Sequence, residues 1–234
     1  MTEISEWGSE LLAGLHWGPA VLAVAAALLW TRIFRPPRLD KWGFWLAIGA
    51  GVVVAWLYSV WIEPNVADAV TDLLIGLGLG SDLDPHPQRL IAILIGQVLA
   101  LAALATVYIL GQVRTQPAPT LAAGQGLGIG IGAYVLQLRL PDAFAEGLSG
   151  DLLLPALAGA LLVGLHIGAG MLLSLARLSG SYVYRGLQAG VFLFLAQFLA
   201  DEFDPAWEVG GLTALTLVIL LMASGSSPRE RARW

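Results

Sequence analysis

The sequence predicts an all-α fold, a polytopic transmembrane bundle of about seven helices, and three observations predict it. Hydrophobic residues make up 57% of the 234 residues and charged residues only 12%, about half the charged share of a soluble domain. Such a chain has too few polar side chains to cover a water-facing surface, so lipid must be its outer solvent. Apolar runs of about 20 residues, the length that spans a bilayer core, recur along its whole length. The charges between those runs sort by side.

Seven segments qualify as spans: Leu12 to Thr31, Trp42 to Ile62, Leu90 to Leu110, Thr120 to Leu138, Leu152 to Ala176, Tyr182 to Ala200, and Trp207 to Ala223. With the N-terminus outside and the sides alternating, the inside holds Arg32, Arg35, Arg38, Lys41, Arg114, Arg177, Arg185, Arg229, Arg231 and Arg233. That is ten of the twelve basic residues; only Arg89 and Arg139 fall outside. Of the seventeen acidic residues only Asp40 and Glu230 lie inside. Lys and Arg collect in short cytoplasmic loops, so the C-terminus is expected in the cytoplasm and the protein in the cell's inner membrane.

The chain reads as one transmembrane domain over residues 1–234. Residues 1–11 and 64–80 are expected as amphipathic external segments and 224–234 as a cytoplasmic tail. In the first, Ile4, Trp7 and Leu11 recur at helical spacing opposite Glu3, Glu6 and Glu10. In the second, Val66, Ala69, Val70, Leu73, Leu74 and Leu77 share one face and Asp68 and Asp72 another. Both patterns fit helices lying on the outer surface. The acidic start lacks the positive region that precedes a cleaved signal core, so the first span is expected to be retained. Absence of cysteine removes disulfides and thiol chemistry, and no basic nucleic-acid surface is present.

The fourth span carries glycine at every second position, Gly124, Gly126, Gly128, Gly130 and Gly132. On a helix this makes two stripes, Gly124/Gly128/Gly132 and Gly126/Gly130, and small-residue stripes let helix backbones approach closely. The span reads either as a tightly packed central helix or as one kept slim beside a substrate or cofactor. His166 is the histidine deepest in a span, flanked by Gly164, Gly168 and Gly170. A lipid-exposed imidazole is costly, so it should face the bundle, at the depth of Gly130 and about a turn outward of Gln125 and Gln188. It reads as a structural residue bonded to a glutamine or a carbonyl, as a general base, or as an axial ligand of a tetrapyrrole metal. Gln97, Gln125, Gln188 and Gln197 are the buried amides that a substrate pathway would use. Asp201, four residues from Gln197, belongs with Glu202 and Asp204 to an acidic outer rim. Asp82, Asp84 and His86 match no full ligand set, so no metal site is assigned.

The order of these residues resembles the CPBP superfamily of intramembrane proteases, which includes the CAAX-processing enzymes and the PrsW- and YhfC-type branches. The resemblance sets GLGIGIGAY in the place of a glutamate motif, His166 in that of a lone histidine, and Gln197-xxx-Asp201 in that of a His-xxx-Asp motif. It would imply an intramembrane peptidase with His166 and Asp201 as catalytic residues. However, no carboxylate lies between Arg89 and Asp142, and hydrolysis needs a base beside its water. The expectation is therefore a non-catalytic membrane protein, a subunit or scaffold of a larger assembly or a degenerate protease-like binder. Its partners are lipid and other membrane proteins, and its cofactor is unknown. The alternatives are the peptidase and a tetrapyrrole-binding subunit.

Overall fold

The computed structural model describes residues 17–33, 41–62, 117–139 and 153–224, together with Asn65, Ala69, Asp72, Leu73, Ile75 and Gly76. Six helices carry almost all of them: α1 (Trp17–Ile33), α2 (Lys41–Leu57), α3 (Pro117–Arg139), α4 (Leu153–Ser179), α5 (Tyr182–Glu202) and α6 (Pro205–Ser224). No strand occurs among the described residues. Four of the helices contain stretches long and apolar enough to cross a membrane: Leu121–Leu138, Leu153–Ala176, Tyr182–Ala200 and Pro205–Ala223. Those in α1 and α2, Val21–Ile33 and Phe44–Val60, are shorter. The six helices overlap six of the seven segments expected from sequence. The remaining segment, Leu90 to Leu110, lies outside the described residues.

Local chemistry explains where the helices stop. Gly180 takes φ 72°, a left-handed conformation that costs glycine little, and so it reverses the chain between α4 and α5 in a two-residue turn. Pro205 opens α6 at the first helical position, where a missing N–H costs no hydrogen bond. Asp204 precedes it, its carbonyl accepting the Glu208 amide at 2.9 Å. At its C-terminal end α2 widens into a π-helical turn, Tyr58–Ile62.

Helix α4 is the axis of the bundle. It packs against α3, α5, α6 and α1, while α3 packs in turn against α2 and α1. Leu165, Ile167, Leu172 and Ala176 of α4 are fully buried, with Ile129 of α3 and Leu212 and Ile219 of α6. The α3–α4 pair runs antiparallel, because Gly124, Gly128 and Gly132 meet Gly170, Ile167 and Val163 in that order. The α2–α3 pair runs parallel: Gly126 sits over Phe44 and Ala47, and Gly130 over Ile48 and Val52.

Of the segment 64–80, expected as external, Asn65, Ala69, Asp72, Leu73, Ile75 and Gly76 are helical and exposed. The segment 1–11 and the tail from residue 225 onward lie outside the described residues.

Candidate functional site: the α3–α4 seam

Glycine at every second position of a helix places successive glycines about 200° apart. The two stripes therefore face almost opposite ways, and the fold gives each its own partner. The Gly124/Gly128/Gly132 stripe lies on α4. A Cβ on Gly128 would stand 2.6 Å from Ile167 Cα, and one on Gly132 would stand 2.6 Å from Val163 Cα. The Gly126/Gly130 stripe lies on α2, where a Cβ on Gly130 would stand 2.9 Å from the Val52 amide nitrogen. Helix α3 is thus sandwiched between two backbones. Contacts this close bring Cα–H groups onto carbonyl oxygens, each worth about 0.5–1 kcal/mol.

His166 lies at this seam. Its Cβ is 3.4 Å from the position a Cβ on Gly132 would take, and its backbone carbonyl abuts Gly128. Gly130, between those two glycines, is therefore level with it. The ring is half-buried, and Nδ1 lies 2.8 Å from the Leu162 carbonyl of the same helix turn. A carbonyl can only accept, so Nδ1 is the donor of this bond. At about 100° per residue His166 stands roughly 60° from Val163, while Gly164 and Gly168 turn away on the other side. Backbone contact at Gly128 and Gly132 brings α3 and α4 close together beside His166.

About a turn nearer the N-terminal end of α3, Gln125 is 8% exposed. Its Nε2 donates weakly to Met171 Sδ at 3.7 Å, and its Oε1 has no partner among the described residues. Opposite, the Ser174 hydroxyl donates to the Gly170 carbonyl at 2.9 Å and abuts Gly124. Gln125 and Gln188 do not converge. They stand on α3 and α5, which share no extended contact, and the Gln188 Oε1 accepts from Arg185 Nη1 at 3.2 Å. Gln197 is half-buried on α5, Asp201 lies in the last turn of that helix, and Gln97, Asp82, Asp84 and His86 lie outside the described residues. No group of three His, Cys, Asp or Glu side chains gathers among the described residues.

Gly164 and Gly168 face other helices. A Cβ on Gly164 would meet the Trp30 ring at 2.7 Å and Thr216 Cγ2 at 2.9 Å; one on Gly168 would meet Ile219 Cγ2 at 2.6 Å. This exposes what sequence reasoning missed. The Trp30 indole donates to the Ala160 carbonyl at 2.7 Å, and the Thr216 hydroxyl donates to the Leu161 carbonyl at 3.1 Å. Neighbouring α4 carbonyls thus tie α1 and α6 to the axis. A tryptophan or threonine inside an apolar run was the available signal, but it does not name an acceptor. The Ser59–Tyr134 hydroxyl pair at 3.0 Å joins the π-helical turn after α2 to α3, side chain to side chain. Compared with protein-family models, with curated proteins and with solved structures, the chain finds no match.

Proposed function

We propose that the chain is a non-catalytic multi-pass protein of the cell membrane, acting as a packing subunit or scaffold within a larger membrane assembly. One observation carries this reading: among the described residues, most serine and threonine hydroxyls in the helices, the Trp30 indole and the His166 ring bond helix backbone carbonyls. Thr31, Ser174, Ser179, Thr213 and His166 each bond the carbonyl four residues back. Trp30 and Thr216 bond carbonyls of α4. Where the resemblance to intramembrane proteases would need a carboxylate, α3 offers glycines pressed onto α2 and α4. Kinship with that superfamily, if it exists, is kinship with a member whose hydrolytic centre has been replaced by packing.

The reading includes seven crossings with the N-terminus outside. Its support is directional. The parallel run of α2 and α3 suits two spans with one further crossing between them in the chain, and Leu90 to Leu110 is an apolar stretch of spanning length. Trp45 and Trp207, 53% and 71% exposed near the starts of α2 and α6, suit anchoring at the interface or docking to a neighbour.

Extraction from native membranes in mild detergent tests the assembly. The expected particle contains a stoichiometric membrane-protein partner and exceeds the 24.7 kDa of one chain plus its detergent. A solitary monomer contradicts the proposal. His166→Ala should leave that assembly intact; loss of a peptide-cleaving activity in this variant would instead favour the peptidase.

A further inference from the structure

We propose that the α4–α5 turn binds the phosphate of an anionic lipid headgroup, with Arg185 as its charged ligand. The inference rests on α5 crossing the membrane, and adds to it a specific lipid site.

The reversal at Gly180 brings Ser179, Ser181 and the first turn of α5 together; the Ser179 and Ser181 hydroxyls are bonded to each other. Arg185 sits in that turn, its amide donating to the Ser181 carbonyl at 3.1 Å. Its guanidinium is held in place without being neutralised. Nη1 donates to the uncharged Gln188 amide at 3.2 Å, and the Tyr184 ring centroid is 5.6 Å from Cζ. Nε is shut off from solvent with no partner among the described residues. No carboxylate among the described residues pairs with this cation. An arginine near the end of a membrane helix reaches the interface, where a guanidinium can donate charge-assisted bonds to phosphate oxygens.

Depth identifies the source of the phosphate. The apolar stretch of α5 begins at Tyr182, so Arg185 stands one turn inside the boundary, within reach of headgroups. Tyr182 and Tyr184 are 45% and 61% exposed there, as aromatic residues of an interface are. Beside them Val183 and Leu187 are 77% and 62% exposed, offering acyl chains an apolar surface that a free phosphate ion would not use. The topology proposed above places this turn in the cytoplasmic leaflet, which carries anionic lipid.

The test uses the full chain in phosphatidylcholine nanodiscs with and without phosphatidylglycerol, with bound lipid counted by native mass spectrometry. Phosphatidylglycerol is expected to be retained selectively, and Arg185→Gln should weaken its retention about tenfold. Arg185→Lys, which keeps the charge but loses the planar fork, should weaken it less. Equal retention by wild type and both variants overturns the site. Inorganic phosphate displacing the lipid at equal concentration overturns the headgroup as its source. The chain lacks cysteine, so a single cysteine at Val183 labelled from either side reports separately whether α5 ends at a membrane boundary.

Discussion

Helices α4 and α5 are both apolar and long enough to cross a membrane, yet they solve different problems. Of the Leu153–Ala176 stretch 61% is buried inside the bundle; of Tyr182–Ala200 only 22%. The difference lies in where each helix is thin. In α4, Gly159, Gly164, Gly168 and Gly170 each lie against a neighbouring helix, so that an added Cβ would collide with it. In α5, Gly186 has open space around it, and of the two glycines only Gly190 is buried. Between membrane helices there is little hydrophobic drive, because lipid tails are as apolar as leucine. Close approach must supply the attraction, and the helix that admits backbone on several faces becomes the axis. Apolarity alone does not decide which helix that is.

Gly128→Val should break this contrast most severely. Its new side chain would need the space of the His166 carbonyl and Ile167 Cα, and backbone cannot yield as a flexible side chain does. Overpacking costs about 1–3 kcal/mol or more, so the thermal unfolding midpoint in detergent should fall sharply and α3 should separate from α4. Unchanged unfolding would mean that α3 does not press on α4. Trp30→Phe is the intermediate case. It keeps the aromatic bulk over Gly164 but loses the 2.7 Å bond to Ala160, a loss of about 1 kcal/mol, measurable in the same melt. Gly210→Ala is the smallest. Nothing lies within 4 Å of the added Cβ, so only helix propensity changes, and the variant should be equal to wild type or more stable by up to about 1 kcal/mol. A large loss there would show that this face of α6 is covered by a partner.

Much of the candidate site was legible. Alternating glycines on a helix of 3.6 residues per turn can only form two nearly opposed stripes, and the bundle uses both. His166 was expected at the depth of Gly130, as a structural residue bonded to a glutamine or a carbonyl, a general base or an axial ligand; its Nδ1 meets the Leu162 carbonyl, a bond that each of these roles can include. Other features had no one-dimensional signature. Arg185 reads in the sequence as one more inside cation, and only its placement beside Gln188, Tyr184 and the two serines sets it apart. Gln125 reads as one member of an amide pathway, and only the fold sets its Nε2 against the Met171 thioether.

The sequence by itself determined that the described segments are helical, that four of them hold stretches long and apolar enough to cross a membrane, and which positions on them are thin, because period and composition are properties of each segment alone. The tertiary structure alone decided that one glycine stripe takes α4 and the other α2, that α2 and α3 run parallel, and that Trp30 and Thr216 hold adjacent carbonyls of α4. A helical period fixes the angle at which a residue leaves its own axis; which neighbour stands at that angle depends on how all the segments pack at once.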